Sequence, residues 1–173
     1  MRGTWRMLLI FLCCMHSVPL TAQSATDAIG FWKTEDPKER FVTSIMVVYA
    51  YDDLLYGRII VSYAEDDGRL LETWHHPQQR IETIGSRVHL LSTDIIWGLR
   101  RDGSRWKQGH VLDIRTGKRY GCDIWVEDDR LVLRGRLGPF GVRQLFLRAT
   151  AQDMPVGIPF PSPDSFIPSP PEP

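Results

Sequence analysis

Cysteine is scarce in this chain of 173 residues: there are three, and two of them, Cys13 and Cys14, stand in an apolar N-terminal run. If that run is removed, Cys122 is left alone and no intramolecular disulfide can form, so core packing must hold the fold. An excess of either charge is also missing. The 21 Lys and Arg balance 21 Asp and Glu, which gives no electrostatic attraction to nucleic acid or to an anionic membrane surface. No apolar stretch reaches the 18 or so residues that a membrane-spanning helix needs, and no segment sustains a helical period. The chain lacks a phosphate loop as well. Thr116-Gly117-Lys118 has the ending of one, but Leu112 and Asp113 stand where the first glycine belongs, Arg119 replaces the magnesium-binding hydroxyl, and a strand pattern follows rather than a helix. A nucleophile elbow and a paired-carboxylate pattern are likewise absent.

The two ends of the chain differ from its middle. Arg2 and Arg6 precede the apolar run 7–20, and small residues follow in Thr21-Ala22-Gln23-Ser24-Ala25. This is the pattern of an export signal over 1–24, cleaved after Ser24, with cleavage after Ala22 or retention as an anchor as the alternatives. A lipoprotein signal does not fit, because Ile10-Phe11-Leu12 before Cys13 are not small. Loss of Arg2 and Arg6 would lower the basic count from 21 to 19 against 21 acids, a net charge of −2. At the other end, residues 154–173 hold eight of the twelve prolines. Proline has no amide donor and a fixed φ, so 151–173 is expected to be a disordered, Pro-rich tail outside the sheet, available to a protein partner.

Residues 25–150 read as one all-β domain. Strands are predicted at 29–34, 40–50, 55–63, 93–101, 104–113, 118–127, 130–137 and 142–149, with turn signals at 101–104, 115–117, 127–130 and 138–141. Eight short antiparallel strands suit an up-and-down β-barrel, which leaves no exposed edge; a sandwich is the competing architecture. Segment 64–92 has no clean pattern.

Loop lengths predict which residues share a face. A three-residue loop Arg115–Gly117, with Gly117 at φ > 0 and Asp113 accepting from the loop amides, pairs Ile114 with Lys118. Trp106, Gln108, His110 and Leu112 then lie on one side with Tyr120, Cys122, Ile124 and Val126. A two-residue loop Asp128-Asp129 pairs Val126 with Leu131, Ile124 with Leu133, Cys122 with Gly135 and Tyr120 with Leu137. The alternate positions Arg130, Val132, Arg134 and Arg136 are mostly charged, as an outer face should be. A four-residue loop at 138–141 pairs Leu137 with Val142 and turns Gln144, Phe146 and Arg148 inward.

On these residues the chain resembles the bacterial domain of unknown function 2147. The resemblance covers about 27–150 and rests on Trp106, Gly109, Asp113, Gly117, Lys118 and Tyr120, and on Gln144 and Arg148 with Phe146 where the family has Trp. Ile114 and Ser92 depart from the pattern, as does the content of 64–92. The resemblance implies an exported, lipocalin-like barrel without an established activity. Gly30-Phe31-Trp32 is similar to the lipocalin G-x-W, which implies that Trp32 closes one barrel end beneath Arg148; a guanidinium stacked on an indole suits such a half-buried end.

The inward set predicts a ligand site of Trp106, His110, Tyr120 and Phe146: aromatic area from Trp106 and Phe146, orienting hydrogen bonds from His110 and Tyr120. The ligand would be a small apolar or amphipathic molecule. The alternative is a barrel packed solid, serving as a non-catalytic envelope module through its surface or tail. Cys122 and His110 fall nearly opposite one another on the same face, the one pairing that offers a nucleophile, but no third residue orients them and a buried free thiol is inert. His75, His76 and His89 near Asp66, Asp67 and Glu72 match no metal-site spacing. The sequence therefore predicts no catalytic residue, metal or cofactor.

Overall fold

The computed structural model describes residues 28–85, 87–137 and 140–172; the expected export signal lies outside them. Among these residues nine strands form: β1 (Gly30–Glu35), β2 (Val42–Tyr51), β3 (Leu54–Tyr63), β4 (Leu70–Thr73), β5 (Asp94–Asp102), β6 (Arg105–Asp113), β7 (Lys118–Glu127), β8 (Arg130–Leu137) and β9 (Phe140–Arg148). All pairings are antiparallel. Eight strands follow one another round a closed barrel, and β1 completes it by pairing with β9 through Trp32↔Arg148 and Lys33↔Leu147. β4 stands outside this ring on the far end of β3, where it pairs Val61↔Thr73 and Ser62↔Glu72. The eight barrel strands coincide with the eight expected from the sequence to within a few residues.

Two hairpin registers differ from expectation, with different consequences. The β6–β7 hairpin closes on Asp113↔Lys118 rather than Ile114↔Lys118, so its loop has four residues. Asp113 organises it: its backbone carbonyl accepts from Gly117 N at 2.8 Å, Oδ1 from Arg115 N at 3.0 Å and Oδ2 from the Thr116 hydroxyl at 2.9 Å. Gly117 takes φ 70°, and a Cβ there would come within 2.7 Å of the Thr83 carbonyl. The extra loop residue slips β6 by one position. Val111 now pairs with Tyr120 and His110 with Gly121, which sends His110 and Leu112 to the outer face. A bulge at Gln108 (φ 61°) adds a second one-residue shift in the same direction, which restores the parity, so Trp106, now opposite Ile124, still points inward. At β8–β9 the closing pair is Leu137↔Phe140 and Gly135 faces Val142. That slip is by two residues and keeps Gln144, Phe146 and Arg148 on the expected side. The Asp128-Asp129 loop has both residues at positive φ, 50° and 57°, as a tight hairpin turn requires, and its register is as expected.

The expectation of a disordered tail is overturned. Prolines keep 151–172 out of the sheet, but the apolar residues between them pack against the outer face of β1–β3. That face carries Phe31, Ile45, Val47, Tyr49, Tyr56 and Val61, and the tail adds Met154, Ile158, Phe160 and Phe166 to the same cluster. Phe160 stacks on Phe31 with ring centres 4.2 Å apart, and Phe166 lies 5.4 Å from Tyr49. Polar contacts fix the tail at three points. Lys33 Nζ meets Asp153 Oδ1 at 2.7 Å, the Tyr63 hydroxyl donates to the Asp153 carbonyl at 2.9 Å, and Arg58 Nη2 donates to the Ile167 carbonyl at 2.8 Å. Asp94, fully buried, accepts from Tyr49 Oη at 2.8 Å, Arg58 Nε at 2.9 Å and Ser169 N at 2.6 Å. A buried carboxylate is tolerable only with such a set of donors. Burial, and then the Asp94 charge, holds the Tyr49 phenol far above its ordinary pKa, so it stays a donor.

Candidate functional site

Inward residues divide the barrel into two unequal environments. At the closed end Ala28, Trp32, Val48, Leu55, Leu99, Trp106, Ile124, Val126 and Leu131 pack together, all of them buried. The Trp32 indole donates to the Ala28 carbonyl at 2.8 Å, and the Arg148 guanidinium lies 4.3 Å above the ring centre while its Nε holds Asp129 Oδ1 at 3.0 Å. Gly30, at φ 136°, brings the backbone beneath that guanidinium: a Cβ there would lie 3.8 Å from Arg148 Nη1.

The other half is a cup. It has a volume of about 750 Å³. Met46, Ile96, Val111, Leu133 and Phe146 form its floor and lower wall, with Ile59 and Ile95 beside them. Higher on the wall stand Thr34, Thr43, Ser44, Ser62, Tyr120 and Gln144, and the rim adds Glu65, Leu71, Gln79, Leu90 and the hairpin residues Asp113–Arg115. The Thr34 hydroxyl lies 2.7 Å from that of Thr43 and 2.8 Å from that of Ser44, a chain of hydroxyls along the β1–β2 wall. Gly135 leaves the wall open: a Cβ there would meet its nearest neighbours, Val111 and the Val142 carbonyl, at 4.0 Å.

The four residues expected to line the site separate. Tyr120 and Phe146 border the cup. Trp106 points inward but belongs to the packed closed half. His110 is on the outer surface, its ring stacked on Trp97 at 5.5 Å, because of the one-residue slip of β6. Its role as an orienting group in the lumen is therefore withdrawn. The same slip places Cys122 and His110 on opposite sides of the wall. Burial pushes the Cys122 thiol up to about 12, which leaves no thiolate near neutral pH. Among the described residues no group of three or more His, Cys, Asp or Glu is arranged to hold a metal ion. No helix among them is long and apolar enough to cross a membrane.

Sequence reasoning missed the hydroxyl wall. Thr34, Ser44 and Ser62 sit at inward positions of β1, β2 and β3, cross-paired as Thr34↔Ser44 and Ser44↔Ser62. The signal was present in the parity of those strands, counted from Trp32 and Met46. It also missed the part played by 64–92, which supplies Glu65, Leu71, Gln79 and Leu90 to the rim. That segment is held by local polar contacts rather than a period: the buried Glu72 carboxylate caps the amides of Gln78 and Gln79, the latter at 2.8 Å.

Comparison with solved structures finds a similar barrel in a protein titled "Protein HP1028 from the human pathogen Helicobacter pylori belongs to the lipocalin family". The two superpose with a TM-score of 0.55 at 13% identity, over 73% of this chain and 85% of that one. At that identity the likeness is one of fold. A search of curated proteins finds no match. Residues 30–148 match the family described as "Uncharacterized protein conserved in bacteria (DUF2147)", and the chain, a lipocalin-like barrel, belongs to that family.

Proposed function

We propose that the protein is exported and binds a small apolar or amphipathic molecule in the open half of its barrel. The observation that carries this reading is the cup of about 750 Å³, apolar at its floor and polar toward its mouth, which is the size and lining of a small-molecule site. A packed closed half beneath it supplies a rigid base. The competing reading is a non-catalytic envelope module acting through its surface or its Pro-rich tail, and the tail version has less to stand on. Phe160 and Phe166, the tail's large anchors, are engaged with Phe31 and Tyr49.

Gly135→Leu tests the site. A Cβ there is in ordinary van der Waals contact, at 4.0 Å, with Val111 and the Val142 carbonyl, so the longer side chain can extend into the cup. It should abolish fluorescence enhancement of N-phenyl-1-naphthylamine while the melting temperature stays within a few degrees of wild type. Undiminished probe binding in a folded variant would place any ligand elsewhere. Export is tested by the intact mass of protein recovered from its native envelope, which should correspond to a chain beginning near Ala25; a mass retaining residues 1–22 would indicate an anchor.

A further inference from the structure

We infer that the ligand of the cup carries a neutral, hydrogen-bonding head rather than an ionised one. This rests on the small-molecule reading above and narrows it to a class. The wall beneath the rim presents hydroxyls and an amide, from Thr34, Ser44, Ser62, Tyr120 and Gln144, and among the described lining residues none there is charged. The lining's charges are confined to the rim: Glu65, Asp113 and Arg115. Arg115 is the one cation of the three. It is 90% exposed, and its Nε is 4.0 Å from Asp113 Oδ1. Asp113 is itself committed to the turn, and the Thr116 hydroxyl, with the loop amides, holds its carboxyl below the usual range.

An alkyl chain seated on Phe146 and Leu133 brings its head to the level of the hydroxyls, not of Arg115. A carboxylate there loses water without gaining a cation, and meets a rim that is acidic by one charge. An ammonium finds no carboxylate at that depth. A glyceryl, alcohol or amide head exchanges its water for hydroxyl and amide partners at little cost.

The experiment is calorimetric titration of the full chain at pH 8 with three amphiphiles of one chain length, below their micellar concentrations: monolauroylglycerol, laurate and dodecyltrimethylammonium. Monolauroylglycerol should bind at least about tenfold more tightly than either ion, the discrimination expected when a charge is desolvated without a partner. Gln144→Arg, at an exposed position within the cup, should raise laurate affinity about tenfold by supplying that partner. Equal or tighter binding of laurate or the ammonium to wild type overturns the neutral-head inference and leaves the small-molecule reading intact. So does a Gln144→Arg variant whose laurate affinity is unchanged. If none of the three binds, both fall.

Discussion

The two halves of the barrel interior are built on the same strands, yet one is solid and the other hollow. Toward the closed end, inward positions carry Trp32, Trp106, Leu131 and Leu99, whose volumes fill the lumen. Toward the open end, the same strands carry Thr34, Ser44, Gly135 and Gln144, too small or too polar to meet across it. Strand number sets the diameter of an eight-stranded barrel, and side-chain size decides whether that diameter becomes core or cavity. Stability and binding are therefore expected to be separable along the barrel axis.

The sharpest break is Trp106→Ala, which empties the closed half. It should cost about 3–5 kcal/mol in urea unfolding, the usual range for a buried aromatic. The affinity of N-phenyl-1-naphthylamine for the fraction still folded should stay within about threefold, since the floor at Phe146 remains. A comparable loss of both would mean that the halves are not independent. Next comes Phe166→Ala, which acts outside the barrel. Lost burial against Tyr49 should cost about 2–3 kcal/mol and expose 151–172 to proteolysis, without altering the cup.

A smaller effect is expected from acid. Burial works against ionising Asp153, but the Lys33 contact and the Thr150 hydrogen bonds outweigh it and hold its folded pKa below the ordinary carboxylate value. Its contribution is thus complete above the unfolded pKa and is lost as pH falls through the lowered folded value. Protection factors of the tail amides, corrected for the intrinsic pH dependence of exchange, should fall as the solution is acidified through the lowered Asp153 pKa, and Asp153→Asn should remove that fall. The smallest effect is expected from His110→Leu. On the outer surface beside Trp97 it should leave probe affinity unchanged and shift stability by less than about 0.5 kcal/mol. Altered ligand preference in this variant would restore His110 to the lumen and refute the observed register.

The contrast between His110 and Phe146 shows what the sequence could and could not reveal. Turn residues and period-two patterning located eight strands, and the Asp128-Asp129 loop gave its register outright because a two-residue turn leaves little freedom. At 113–118, loops of three and four residues are both compatible with Asp113 and Gly117. The difference of one residue inverts the faces of His110 and Leu112; on the other side of the Gln108 bulge the expected parity returns, and Trp106 faces inward. At 138–141 the error was two residues, so Phe146 stayed inward. The tail departs from expectation for another reason: proline content excludes sheet and helix, not packing. The contrary sign lay in β2, where Ile45-Met46-Val47-Val48-Tyr49 is apolar without alternation and buried throughout. Such a strand needs cover on both faces, and the outer cover comes mostly from the tail, with Trp74 of the unpatterned segment beside it.

The bond between Ser169 N and the Asp94 carboxylate joins residues 75 apart in sequence, and this has a consequence for the order of folding. Most barrel strands can pair hairpin by hairpin as the chain emerges, and the closing β1–β9 pair waits for the far end of the barrel. Arg58 can meet Asp94 within the barrel, but the carboxylate's set of donors stays incomplete until Ser169, the latest of its three donors in sequence, is made. Until 151–172 arrive, the apolar outer wall of β1–β3 stays uncovered, with Asp94 and Arg58 at its edge, where another chain could pair with it. A ribosome or export channel that releases the chain late therefore prolongs the interval of greatest aggregation risk. A chaperone that helps this protein would be expected to hold the outer wall of β1–β3, not the cup.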